Sequence, residues 1–343
     1  VNTHIDMKNH PCTPIIIAEA GVNHNGSSEM TRRLVDAAAE AGADYVKFQT
    51  FKAESLVTSL GPAAEYQKTN CNALSQLDML RSLELGFDDF KMLKEYCDKK
   101  GIGFLSTPFD AESIDFLSSM GLDYMKIPSG EISNLPYLKN VADTGLPVIM
   151  STGMSRLGDI ESALSVFYGK GYTDRDIILL HCNTEYPTPF QDVNLRAMTV
   201  LRDTFGLPTG YSDHTKGTEV AIAATALGAC VIEKHFTLSR SLPGPDHVAS
   251  LQPDELAEMV AAIRNVAVAI GSGVKRVTES ERKNMAVARK SIVAAREIEA
   301  GETFSEENLT VKRPGDGLSP MLWDDILGRK ALRKFLPDEQ IEI

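Results

Sequence analysis

The chain alternates, eight times over, between a short apolar run, a polar loop and an amphipathic stretch. The apolar runs centre on Ile15–Ala18, Tyr45–Gln49, Gly103–Ser106, Tyr124–Ile127, Val148–Ser151, Ile177–His181, Thr209–Ser212 and Cys230–Lys234. They recur every ~31 residues on average, the length of one strand-and-crossover-helix unit. Ile15–Ile17 and Ile177–Leu180 are apolar at consecutive positions, as strands covered on both faces are. Helical stripes fill several of the gaps: Met30, Leu34, Ala37 and Ala41; Phe90, Leu93 and Cys97; Ile160, Leu164 and Phe167; Leu256, Val260, Ile263 and Ile270 behind Pro253. Eight such units predict a (β/α)8 TIM barrel. A doubly wound open sheet is the competitor. Its dinucleotide fingerprint is missing from Gly21-Val22-Asn23-His24-Asn25-Gly26, which follows the first strand.

Two features depart from the repeat. The connection from Thr50 to Asp88 is unusually long and includes Ala63–Gln67 and a helix expected over Leu74–Leu85; inserts of that size belong at a functional rim. After Gly271 the texture changes. Residues 1–12 read as a flexible tail, 13–272 as the barrel, 273–289 as a charged linker and 290–343 as a small second domain. The last holds the strand Ser291–Ala295, a turn at Glu299–Glu302 and the strand Leu309–Lys312. A domain that small has a thin core, so it is expected to dock on a barrel or on a partner subunit.

Charge narrows the function. Lys and Arg number 35 against 47 Asp and Glu, a net charge of −12, which repels nucleic acid and anionic membranes. The longest uncharged run, Val220–Ile232, has thirteen residues, short of the ~20 a membrane helix needs. The five cysteines form no CxxC pair and read as free thiols of a reducing, cytoplasmic compartment.

In a barrel, polar residues at the C-terminal ends of the strands converge on one mouth. Here these are Glu19; Lys47 and Gln49; Ser106 and Thr107; Lys126, Ser129 and Gly130; Ser151; His181 to Tyr186; Ser212, Asp213 and His214; and Glu233, Lys234 and His235. A lysine in an apolar strand is costly without an anion, so Lys47 and Lys126 read as phosphate or carboxylate ligands, or else as internal partners of a glutamate. A Schiff-base lysine is a further reading. His214 and His235 end neighbouring strands and could share a divalent ion. Asp246 lies in a Gly/Pro-rich loop just beyond, within reach of a polyol. Together these residues describe a barrel enzyme for a small phosphorylated or carboxylated substrate; a non-catalytic scaffold leaves the polar strand ends unexplained.

The segments Ile17–Gly26, Val46–Thr50, Ser106–Asp110, Lys126–Glu131, His181–Pro189, Gly210–His214 and Glu233–Phe236 resemble the sialic acid synthase family. The C-terminal part, with Lys312-Arg313-Pro314-Gly315, is similar to that family's antifreeze-like SAF (β-clip) domain. The resemblance implies condensation of phosphoenolpyruvate with an N-acylated mannosamine-type sugar, releasing phosphate. It implies that Lys47, Thr107, Lys126, Ser129, Asn183 and Ser212 bind phosphoenolpyruvate. Some family members place that asparagine one residue later, opposite Thr184. By the same resemblance, His214 and His235 hold Mn2+, with Mg2+ or Co2+ as substitutes, and no organic cofactor is needed. Gln49, Tyr186 and Asp246 hold the sugar, Glu19 is the catalytic carboxylate, and His214 and His235 act in catalysis through the metal. Arg313 reaches the sugar from the partner subunit of a homodimer whose SAF domains cap each other's barrels. The leading expectation for the sugar is N-acetylmannosamine, giving N-acetylneuraminate. The alternative is 2,4-diacetamido-2,4,6-trideoxymannose, giving legionaminate, and a Schiff-base pyruvate aldolase comes after both.

Overall fold

The computed structural model describes residues 13–58 and 76–343. The expected N-terminal tail and Ala63–Gln67 lie outside the described residues. Eight strands, β1 Ile15–Gly21, β2 Tyr45–Thr50, β3 Gly103–Pro108, β4 Met125–Ile127, β5 Val148–Ser151, β6 Ile177–Cys182, β7 Thr209–Asp213 and β8 Val231–His235, run in the order β3-β2-β1-β8-β7-β6-β5-β4. Every ladder among them is parallel, and β3 lies beside β4, which completes the ring. This is the eight-stranded TIM-like barrel that the repeat predicts.

Two apolar layers hold it. Ile17, Leu105, Ile149, Ile178, Leu180 and Val231 fill the barrel's interior below the mouth. Ile16, Val46, Phe104, Met125, Leu179 and Ile232 point outward, onto helices such as Ser28–Glu40, Phe87–Lys100 and Pro253–Ile270. Strands buried on both sides have no polar face to spare, which is why their sequences do not alternate. Turns are built locally: the Ser27 and Asp110 side chains cap the helices Ser28–Glu40 and Ala111–Ser118.

Two helices carry no amphipathic stripe that the sequence reading detected. Leu135–Asp143 starts after the Asn134 cap with Pro136 in its first turn. Glu219–Ala226 is apolar nearly all round, because helix Pro253–Ile270 covers it on one side and β7 and β8 lie against it as well. The insert helix expected over Leu74–Leu85 is present as Gln76–Leu83.

A second compact unit begins at Gly273. Within it, the expected linker contains a helix, Glu279–Ala288, with no buried residue. Strand β9 Ser291–Ala294 pairs antiparallel with β10 Leu309–Lys312. Ile292, Ile298, Phe304, Leu309, Ile326, Phe335 and Ile341 form a small core of its own.

No helix among the described residues is long and apolar enough to cross a membrane.

Candidate active site

Register brings the polar strand ends together. Across the β1/β2 ladder Glu19 pairs with Lys47, and across β1/β8 it pairs with His235. Gln49 pairs with Thr107, Cys182 with Ser212, and Ser212 with Glu233. Alternation along β8 then turns Glu233 and His235 inward and Lys234 outward. The β1/β2 register slips between Glu19 and Gly21. Gly21 sits at φ +53°, and a Cβ there would stand 3.3 Å from Glu19 Oε1 and 3.5 Å from the His235 ring. A side chain at this bulge would intrude on both.

The result is a cavity of about 450 Å3 at the C-terminal mouth. Its polar floor includes Glu19, Lys47, Thr107, Lys126, Ser129, Ser212, Glu233 and His235. Lys47 Nζ lies 2.8 Å from Glu19 Oε2 and 3.7 Å from Glu233 Oε1, and donates to Thr107 Oγ1 at 2.8 Å. Lys126 Nζ donates to Ser151 Oγ at 2.7 Å and lies 3.9 Å from Glu233 Oε1. Both lysines are therefore at the mouth, and both face glutamates, so the anion-ligand and internal-pair readings describe the same residues. The Ser129 hydroxyl lies 3.2 Å from Cys182 Sγ and accepts from the Gly153 amide at 3.0 Å. Gly153 has no room for a side chain: a Cβ would fall 2.8 Å from Ser129 Oγ and from Thr184 Cγ2.

Electrostatics separates these groups. Burial pushes the Glu19 carboxyl up to about 7, against the pull of Lys47. Burial also raises Glu233, but Lys126 and Lys47 outweigh it and hold that carboxyl below its usual range. Lys126 is lowered by burial, whereas for Lys47 the carboxylates of Glu19 and Glu233 overcome burial and raise it. The Asp246 carboxyl, on the cavity wall, is pushed by burial up to about 6.

The two histidines meet as the strand order predicts. Their ring centroids are 5.5 Å apart, and the Tyr186 ring lies 4.2 Å from His214 and 5.6 Å from His235. Burial lowers His214 to about 4 and His235 well below the ordinary imidazole value, so both are neutral. His214 Nδ1 bonds the Asn183 carbonyl, which leaves Nε2 as the lone-pair nitrogen, beside Ser212 Oγ at 3.3 Å. His235 Nδ1 is buried and has no hydrogen-bond partner. Neutral rings, one anchored through its other nitrogen, suit a metal ion whose remaining positions go to water and substrate. No group of three or more His, Cys, Asp or Glu able to hold an ion occurs among the described residues.

Gln49, Tyr186 and Asp246 line the same cavity. Asn183 does not: its side-chain oxygen accepts from the Glu185 amide at 2.7 Å, bracing the loop, and its neighbours Cys182 and Thr184 line the cavity instead. Arg313 lies in the second unit, exposed, with Nε donating to the Ala288 carbonyl at 3.1 Å. The sequence reading assigned no role to Glu233 or Ser151. The alternating charged triplet Glu233-Lys234-His235 in a buried strand is the signal that points to Glu233.

A parallel barrel with lysines, carboxylates and imidazoles gathered at its mouth is the arrangement of an enzyme cavity suited to a small anionic substrate. Residues 34–275 match the NeuB family, and residues 289–342 match the SAF domain. The chain belongs to the NeuB family and is a phosphoenolpyruvate-utilising, C–C bond-forming synthase. It is 52% identical to the N,N'-diacetyllegionaminic acid synthase of Campylobacter jejuni, over 95% of this chain and 98% of that one. It is 48% identical to the enzyme of the same name from Legionella pneumophila, over 93% of this chain and 90% of that one. A solved N-acetylneuraminic acid synthetase from Leptospira borgpetersenii, in complex with citrate, superposes with a TM-score of 0.71 at 37% identity, over 79% of this chain and 90% of that one. These likenesses favour the legionaminate alternative over the neuraminate reading that leads from the sequence.

Proposed function

We propose that the chain condenses phosphoenolpyruvate with 2,4-diacetamido-2,4,6-trideoxymannose to give N,N'-diacetyllegionaminate and phosphate. The observation that carries this is the higher identity, over nearly whole chains, to proteins named for that product than to the neuraminate synthetase. The cavity agrees with a less polar sugar: Val22, Phe51, Val57, Met79, Leu80 and Leu83 form an apolar side that suits a 6-methyl group better than a 6-hydroxyl.

Phosphoenolpyruvate lies on the floor, its phosphate and carboxylate taken by Lys47, Lys126, Thr107, Ser129 and Ser212. Two ammonium groups against two carboxylates leave the empty floor near neutral. Gln49, Tyr186 and Asp246 orient the open-chain sugar so that its aldehyde carbon meets C3 of phosphoenolpyruvate. His214 and His235 would hold a divalent cation, Mn2+ with Mg2+ or Co2+ as substitutes, which would supply Lewis-acid polarisation of that aldehyde. As the C–C bond forms, positive charge develops at C2, where Glu19 takes the proton of the attacking water. The tetrahedral carbon then expels phosphate by C–O cleavage as its hydroxyl becomes the C2 carbonyl; that proton leaves with phosphate, the proton held by Glu19 passes to the alkoxide left by the aldehyde, and the lysines stabilise the leaving anion. In a homodimer, Arg313 of the partner subunit completes the sugar site. The Schiff-base route asks for an amine lowered by its surroundings: Lys47 is raised and ion-paired, which leaves Lys126, lowered by burial, as the lysine that borohydride trapping would mark if that route ran.

The test is phosphate release with phosphoenolpyruvate and each sugar in turn. Release with 2,4-diacetamido-2,4,6-trideoxymannose and little with N-acetylmannosamine supports the proposal. The reverse preference overturns it.

A further inference from the structure

Behind the cavity, on the opposite face of β7 and β8, lies an ion pair for which the condensation has no use. Asp213 and Lys234 are Cα partners across these strands. Lys234 Nζ donates to Asp213 Oδ2 at 2.8 Å and to the Thr215 carbonyl at 2.6 Å. The other oxygen, Asp213 Oδ1, accepts from the Thr215 amide at 2.9 Å and its hydroxyl at 2.8 Å. The side chains are 0% and 1% exposed. Two charges so deeply buried recover little net stability over an apolar pair of equal volume, so their retention calls for another account.

Chain order supplies one. Asp213 precedes His214 and Lys234 precedes His235, each outward residue adjoining an inward imidazole. Thr215, fixed by both charges, follows His214 directly. The segment Asp213-His214-Thr215 is thus pinned on both sides of the histidine, and the pin is anchored to the residue before the other histidine. The Asn183 carbonyl, the Ser212 hydroxyl and the Tyr186 ring contact the His214 ring; the clamp holds its backbone.

We propose that the Asp213–Lys234–Thr215 clamp is a positioning device that sets the separation and aim of His214 and His235 for a divalent ion. None of the three lines the cavity. The proposal rests on the two-histidine reading of the ion site.

The test uses the full-length protein with Mn2+ as probe. The single variants Asp213→Leu and Lys234→Met each strand a buried charge and are expected to fold poorly. The double variant Asp213→Leu/Lys234→Met strands no charge, and is expected to fold with a lowered melting temperature because the Thr215 amide, hydroxyl and carbonyl lose their partners. We expect its Mn2+ dissociation constant, read from the free-ion electron paramagnetic resonance signal, to rise ~10–100-fold, with the KM for phosphoenolpyruvate unchanged at saturating Mn2+. A purely structural pair would move the melting temperature and leave Mn2+ affinity alone. Affinity within twofold of wild type overturns the clamp while leaving the two-histidine site standing. Absence of Mn2+ binding by the wild-type protein overturns both. If the double variant does not fold, Thr215→Val carries the test: it deletes the hydroxyl contact to Asp213, and unchanged Mn2+ affinity in it overturns the clamp.

Discussion

Glu19 and Lys47, Cα partners on adjacent strands, bring carboxylate and ammonium to 2.8 Å at the floor of the barrel mouth. Each answers the other's burial, yet Glu19 still holds its proton up to about 7. A base of that strength works only once deprotonated, so kcat/KM is expected to rise with pH through about 7. Glu19→Gln is expected to lose ~100- to 10,000-fold in kcat and to lose that rising limb. A pH–rate profile of both proteins checks this; an unchanged limb in the variant removes Glu19 from the proton transfer.

Lys126 donates to Ser151 and faces Glu233 at 3.9 Å, with no closer carboxylate among the described residues. An entering phosphate or carboxylate is therefore its stronger partner. Lys126→Ala is expected to raise the KM for phosphoenolpyruvate by about 100-fold, the worth of one charge-assisted contact in a dry site. The KM for the sugar should move far less. Steady-state kinetics with each substrate varied in turn decides it, and an unchanged KM for phosphoenolpyruvate would rule the role out.

Much of this site was legible before any coordinates. The eight runs gave the barrel, and the barrel alone brought His214 and His235, twenty-one residues apart, to one mouth. Lys47 and Lys126 stood out because a charge in an apolar strand demands a partner. What stayed hidden depended on which way a side chain turns. Asn183 and Thr184 are neighbours in a loop, where no alternation rule applies, and the loop spends the asparagine on its own Glu185 amide. Glu233 obeyed the rule, but a glutamate beside a lysine and a histidine reads equally well as a solvated charge run. Helix Glu219–Ala226 was missed because a segment covered on several sides has no polar face to reveal its period.

Met154 lines the cavity and is 74% exposed, with φ +58°. A non-glycine residue there carries backbone strain, and a large apolar side chain is left facing an aqueous mouth. A bound sugar would cover it. Met154→Ala is expected to raise the KM for the diacetamido sugar ~10-fold, the worth of one apolar contact, without affecting that for phosphoenolpyruvate. Equal changes in both constants would mean that the loop, not the contact, was lost.

Acid should unfold the protein through buried imidazoles beneath the rim. His24 accepts from the Gly26 amide at 3.0 Å, and His247 bonds Thr237 and Asn25, tying the first strand's loop to the last. Burial lowers both to about 4. A histidine depressed in the folded state is neutral there while its unfolded counterpart gains a proton, so its contribution is complete above about 6.5 and is lost as pH falls toward 4. For His24 that loss is on the order of 3 kcal/mol. The melting temperature should drop across this window, and less steeply in His24→Asn, whose side-chain oxygen can still accept from Gly26. Parallel curves for the two proteins would assign the acid sensitivity elsewhere.

The role given to Arg313 can be tested without a structure of the dimer. If it serves the partner's barrel, Arg313→Ala and His235→Ala are defects of different chains in any one site. Each homodimer is then impaired at both its sites. Subunits mixed by unfolding and refolding form heterodimers in half of the assemblies. Each heterodimer has one site with an intact barrel and an intact arginine, and one site with neither. Activity should therefore recover to about a quarter of wild type. If Arg313 serves its own barrel, the heterodimer pairs one barrel lacking the arginine with one lacking the histidine, and the mixture stays at the mean of the two parents. Refolding equimolar, differently tagged subunits and assaying the doubly purified fraction, which is all heterodimer and should show about half of wild-type activity in the first case and the mean of the two parents in the second, separates the two outcomes.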